Sequence, residues 1–203
     1  MSVPVAQLVS VVVLVALVGA QNECMPPKPG EKHAHPSECC KLDTVIPESV
    51  KVNGPKCMEK FPHPPKPPGP PPSGAMPTPD PAMKLHHACV GECVFSESGL
   101  LTADKRLDRA AVTRVFTNSD KDLGPVVTAA ITKCLGSYQN DVDQSLECKS
   151  GAEEFKKCLT REVFLNCPSS VWISSSECSS LKTKITNCPQ FPVKIGGPGP
   201  GPR

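Results

Sequence analysis

Apolar side chains are spaced in three different ways along this chain, and each spacing predicts a different kind of segment. Residues 8–18, LVSVVVLVALV, are almost continuously apolar. From Asn22 to Pro81 no period holds and prolines interrupt every run. From Met83 to Asn187 the apolar positions recur every three or four residues, the spacing of one helix face.

That last stretch predicts five helices. In the first, Leu85, Cys89 and Cys93 follow one another at intervals of four and line one face. In the second, Thr102 is the expected cap, and Leu107, Ala111 and Val115 share a face beside Phe116. Asp122 is the expected cap of the third, with Pro125 in its first turn, a buried stripe of Val127, Ile131 and Cys134, and an exit at Gly136. The fourth begins at Ser150, carries Phe155, Cys158, Leu159 and Val163 on its apolar face, and is closed by Cys167-Pro168. The fifth runs from about Glu177 to Asn187 and groups Cys178, Leu181 and Ile185 with Cys188. The one strand-like run, Ser170-Val171-Trp172-Ile173, is too short to build a sheet. An all-α fold is expected.

The apolar run at 8–18 is too short for a bilayer crossing, which needs roughly 20 residues. Followed by Val18-Gly19-Ala20, it reads as the hydrophobic region of a signal peptide over residues 1–20, with cleavage before Gln21 and no membrane anchor. The expected organisation is then a cysteine-containing extension at 21–61, a proline-rich segment at 62–82, a helical core at 83–190 and a Gly/Pro-rich tail at 191–203. The stretch FPHPPKPPGPPPSGAMPTPDP at 61–81 predicts an extended, polyproline II-like spacer. The tail predicts no helix and is expected to be flexible or laid over the surface.

Composition sharpens this picture. The 203 residues carry a formal charge of +2, which gives no basic face for a nucleic acid. One Trp, one Tyr and six Phe supply little bulk for a core, whereas twelve cysteines are an even set in a chain that looks exported. Six disulfides are the first reading, at Cys24, Cys39, Cys40, Cys57, Cys89, Cys93, Cys134, Cys148, Cys158, Cys167, Cys178 and Cys188. Each bridge would offset the thin core by restricting the unfolded chain, by about 2 to 4 kcal/mol. Cys89 and Cys93 lie side by side on a helix and should reach different neighbours. Adjacent Cys39 and Cys40 must diverge. Cys148, Cys158 and Cys167 are placed to tie the fourth helix at its approach, middle and end. Spacing alone leaves about 10,000 complete pairings open.

Catalytic and metal chemistry find little support. No nucleophile elbow, HExxH or phosphate-cradling glycine loop occurs, so an enzyme is not expected. His86 and His87 precede Cys89, and His33 and His35 precede Cys39, but the ligand spacings of a zinc site are missing and no metal is expected. Oxygen side chains between Asn118 and Gly124 fail as an EF-hand because the glycine is one place late and Ala129 stands at the final ligand position. No cofactor is implied.

The ordered cysteines do carry a resemblance. CVGEC at 89–93, then Cys134, then Cys148-x₉-Cys158-x₈-Cys167-Pro168-x₉-Cys178, with the additional N-terminal cysteines and Cys188, closely resemble the Plus-C group of insect odorant-binding proteins. The likeness runs from about Cys24 to Cys188. It implies a disulfide-stapled helical fold with extra N- and C-terminal segments. Carried over from the wider family, the pairing would be Cys57–Cys93, Cys89–Cys158, and either Cys134 or Cys148 with Cys167. The remaining cysteines would form the other three bridges.

The resemblance further implies a secreted carrier of small hydrophobic odorants or other semiochemicals through aqueous extracellular fluid. Under that reading Phe95, Leu101, Val115, Phe116, Val127, Ile131, Phe155, Leu159 and Trp172 are the candidate lining of an apolar cavity, with Tyr138 adding a hydroxyl. Ordinary core packing competes for every one of them. Candidate partners are small hydrophobic molecules, a second copy of the chain and a sensory receptor. Protonation of His86 and His87 is expected to loosen the stapled helix and lower ligand affinity below about pH 6. The rival reading is a secreted, disulfide-rich interaction module such as an inhibitor or effector, with no sizeable apolar cavity and with aromatic hot spots outside.

Overall fold

The structure, a computed structural model, describes Cys24, residues 33–65, residues 80–193 and Ile195. The expected signal peptide, most of the proline-rich segment and the end of the tail lie outside the described residues.

Eight α-helices form among the described residues: α1 (Pro36–Cys39), α2 (Glu48–Lys51), α3 (Gly54–Lys60), α4 (Pro81–Glu97), α5 (Arg109–Phe116), α6 (Leu123–Ser137), α7 (Ala152–Leu165) and α8 (Ser176–Asn187). Short 3₁₀ turns follow α1 at Leu42–Thr44 and α6 at Tyr138–Asp141. No strand forms among these residues. A lone antiparallel bridge joins Leu101 to Leu107. The all-α expectation therefore holds, and α4 to α8 are the five helices that periodicity predicted.

Local chemistry explains most of the boundaries. Asp80 accepts a hydrogen bond from the Ala82 amide, and Pro81 occupies the first turn where its missing N–H costs nothing, so α4 starts two residues before Met83. Ser175 caps α8 by accepting from the Cys178 amide. The second predicted helix begins later than expected. Thr102 does not cap it: its hydroxyl accepts from the Arg106 amide within a tight turn, and Asp108 caps α5 through the Ala111 amide. Leu107 is buried but stands before that helix. Asp122 likewise makes no side-chain cap. Asp120 does so instead, its Oδ1 accepting from the amides of Asp122 and Leu123. The oxygens read as a failed EF-hand thus organise the entry to α6.

Gly151 precedes α7 at φ +80°, and a Cβ there would collide with the Tyr138 ring. Gly91 lets α4 cross α7 closely, since a Cβ would lie 3.3 Å from the Glu153 amide nitrogen. At that crossing the buried Glu92 carboxylate accepts from the Ser150 amide at 3.1 Å, satisfying a donor just before α7.

All twelve cysteines are paired: Cys24–Cys188, Cys39–Cys178, Cys40–Cys167, Cys57–Cys93, Cys89–Cys148 and Cys134–Cys158. Of the pairings carried over from the wider family, Cys57–Cys93 is present. Cys89–Cys158 is not, because Cys158 faces Cys134 across the α6–α7 contact and Cys89 faces the loop that holds Cys148. Cys167 is taken by neither Cys134 nor Cys148 but by Cys40. The divergence of Cys39 and Cys40 is realised, one reaching α8 and the other the end of α7.

Short helices α1 to α3 and the 3₁₀ turn between them pack Leu42, Val45 and Val50 into the core. This region showed no periodicity because elements of four to seven residues present too few positions for one. Leu85, expected on the inner face of the first helix, is 36% exposed. His86 and Ala88 are buried in its place. The Val171-Trp172 run is a turn, its amides donating to the Pro168 carbonyl, and Ile173 donates to Cys39.

The start of the tail is laid over the core. Phe191, Val193 and Ile195 alternate and pack partly buried against it. The Arg161 guanidinium on α7 donates to the carbonyls of Ile185, Cys188, Pro189 and Phe191, and the buried Thr160 hydroxyl donates to Val193. A cation among the last carbonyls of α8 also complements that helix's negative end.

Candidate functional site

Three helices each deliver one phenylalanine to the same point. Phe95 comes from α4, Phe116 from the last turn of α5 and Phe155 from the first turn of α7. Their centroids lie 5.8, 6.1 and 5.5 Å apart for the pairs Phe95–Phe116, Phe95–Phe155 and Phe116–Phe155. Two of the pairs meet edge to face, the arrangement that the ring quadrupole favours. Val127 and Ile131 on α6 and Leu159 on α7 belong to the same buried cluster.

The structure thus brings together six of the candidate lining residues: Phe95, Phe116, Val127, Ile131, Phe155 and Leu159. Leu101 and Val115 are partly buried at the margin of the cluster. Tyr138 is buried, and its hydroxyl accepts from Gln139 Nε2 at 3.2 Å. Trp172 is also partly buried against the core, in a T-shaped contact with Phe164 at 5.6 Å, and it lines a hollow beside α8. Leu100, Val112, Leu123, Val163 and Phe164 are equally enclosed, although the sequence analysis placed none of them at the site. Helical spacing had already put Val163 on the inner face of its helix. Leu100 sits in a loop, where no periodic signal exists.

The rings and aliphatic groups at this centre touch one another. Two hollows among the described residues lie on the outside and open to solvent. One, of about 290 Å³, is lined by Trp172, Ser179, Lys182, Thr183, Thr186 and Asn187. The other, of about 370 Å³, is lined by His33, Ala34, Glu38, Ser175 and Glu177.

Titratable groups gather where α4 meets α7. His86 is buried, its Nδ1 has no hydrogen-bond partner, and its ring lies 4.3 Å from that of His63 and 5.5 Å from that of His87. Burial holds His87 below the ordinary histidine value. Glu153 opposes that shift, while Lys157, His86 and Lys156 reinforce it. Burial pushes the Glu154 carboxyl up. Glu92, besides its bond to Ser150, pairs with Lys105 at 3.1 Å. Every cysteine sulfur is spent in a bridge, and among the described residues no group of three or more His, Cys, Asp or Glu side chains can hold a metal ion. No helix among them is long and apolar enough to cross a membrane.

Helices crosslinked at every cysteine around an aromatic centre define a disulfide-rich helical domain of the odorant-binding type. A family model described as AgamOBP47-like matches residues 83–184, half of the chain, and the chain belongs to that family of insect odorant-binding proteins. Its members are not enzymes. The chain is 28% identical over 177 residues to general odorant-binding protein 67 of Anopheles gambiae, covering 79% of this chain and 77% of that protein. It is 23% identical over 118 residues to odorant-binding protein 47 of the same mosquito, covering 50% of this chain and 51% of the relative, about half its length.

Proposed function

We propose that the chain is a secreted carrier that takes small hydrophobic molecules, odorants or other semiochemicals, into the apolar centre of α4 to α7. The observation that carries this reading is the family match over residues 83–184, which spans the helices that deliver Phe95, Phe116 and Phe155. Six disulfides are in keeping with an oxidising extracellular fluid, and residues 1–20 have the pattern of an export signal. Domain limits of 83–190 for the helical core follow the same reading.

Because the rings are in mutual contact, the ligand takes their place by turning them out of the centre. A minor open state would then be selected by binding. Affinity comes from apolar burial at about 25 cal/mol per Å², reduced by the cost of that opening. The interaction-module reading draws its support from the same packing, since the hollows described above are external and open to solvent. A displacement assay on the fully oxidised protein with a fluorescent apolar probe separates the two. Saturable uptake, reversed by long-chain alcohols or esters, is the expected result; probe that never saturates would remove the carrier role.

A further inference from the structure

The external hollow beside Trp172 has a chemistry of its own, unlike that of the apolar centre. One side of it is the Trp172 indole, carried on a hydrogen-bonded turn. The backbone amides of Trp172 and Val171 donate to the Pro168 carbonyl and that of Ile173 to Cys39, which fixes the turn that carries the indole, and Phe164 packs against the ring in a T-shaped contact. Its wall is the outer face of α8. There Ser179 Oγ donates to the Ser175 carbonyl at 2.9 Å, Thr183 Oγ1 to Ser179 at 3.1 Å and Thr186 Oγ1 to Lys182 at 2.8 Å. Each hydroxyl has one hydrogen and two lone pairs. With the hydrogens committed to the helix, these side chains offer only acceptors to the hollow. The donors come from Lys182 and Asn187. The Lys182 ammonium rests over the indole at 4.9 Å and makes no ion pair among the described residues.

An aromatic platform, a row of acceptors and two donor groups, all open to solvent, match few ligand classes. A purely apolar molecule would strip water from the hydroxyls and the ammonium without replacing it. An anion would meet one cation and the negative face of the ring, and a cation would be repelled by Lys182. A neutral saccharide presents a C–H face for the indole and hydroxyls that both donate and accept. We propose that this hollow is a binding site for neutral saccharides, in which a pyranose displaces the Lys182 ammonium from the Trp172 ring and lies against it. Its hydroxyls donate to Ser179, Thr183 and Thr186 and accept from Lys182 and Asn187. The site would let a carrier attach to a glycan while its apolar centre is loaded or empty.

Trp172 is the one tryptophan of the chain, so intrinsic indole fluorescence reads this site alone. The test titrates the oxidised protein with neutral disaccharides and tetrasaccharides of glucose, galactose and N-acetylglucosamine, with calorimetry in parallel. At least one sugar is expected to shift the emission saturably in the millimolar range. Thr183→Val with Thr186→Val, both on the exposed side of α8, should weaken it at least tenfold while leaving the free protein's emission and melting unchanged. Saturating the protein with the apolar probe should not displace the sugar. No saturable change with any of these neutral sugars, or affinity unaltered by the double variant, would each overturn the proposal. All of these results are independent of whether the apolar probe binds.

Discussion

The inner helices and the outer belt of this molecule are held together by different forces. In α4 to α7, large side chains from separate helices meet and exclude water, and Phe116, Phe155, Leu123 and Leu159 are essentially inaccessible. The two bridges within these helices and their connecting loops, Cys134–Cys158 and Cys89–Cys148, span 24 and 59 residues, and Cys57–Cys93 ties α3 to α4 across 36. The belt is made of α1 to α3, α8 and the start of the tail. Its N-terminal helices are too short to persist alone. Bridges spanning 127, 139 and 164 residues fasten it, with Arg161 clasping the carbonyls around the end of α8. A chain poor in aromatics has brought three of its six phenylalanines to one point and crosslinked the periphery.

Breaking the centre should cost most. Phe155→Ala removes the ring common to both edge-to-face pairs, and a loss of about 3 to 5 kcal/mol is expected in urea unfolding. The loss should fall in both the core and the belt, since the belt rests on the core. Replacing Cys39 and Cys178 by serine should cost about 2 to 5 kcal/mol but act locally. Amide exchange should accelerate in α1 and α8 while α6 and α7 stay protected, and equal acceleration everywhere would abolish the distinction between the regions.

Arg161→Ala should cost about 1 to 3 kcal/mol by leaving carbonyls of the tail and α8 without a donor. Limited proteolysis should then cut after Lys184 or beyond it, before any cut in α4. The smallest effect concerns pH. His87 is held below its unfolded value near 6.5, so the unfolded chain takes up the proton first and stability falls as pH drops below that value. His87→Ala should flatten this slope in thermal melts between pH 7 and 5. Ligand affinity measured at both pH values on the His86→Ala/His87→Ala variant checks whether the same protonation governs binding; an unchanged pH dependence would exempt these residues.

The same contrast decides what could be read from the sequence. Helices α4 to α8 were readable because a buried stripe repeats over eight or more residues. Their starts were less so: Thr102 and Asp122 are good caps by residue type, yet Thr102 is taken up by the turn to Arg106 while Asp108 caps α5, and Asp120 Oδ1 takes the amides of Asp122 and Leu123. The belt was readable only through its cysteines. Its helices leave no period, and the partners of Cys89, Cys134 and Cys167 depend on which helices meet, which spacing does not encode. At the site, periodicity put Phe155 on an inner face and Phe116 beside one, whereas Phe95 entered only through the family resemblance. Trp172 also came from the resemblance, and the turn at Pro168 carries it to the margin of the core.

The central claim, that ligand enters among the inner helices, is tested most directly by amide hydrogen exchange with and without a saturating apolar probe. Added protection in α4, α5 and the first turns of α7, around Phe95, Phe116 and Phe155, is the predicted outcome. Bound probe with protection confined to α8 and the Trp172 turn would contradict it.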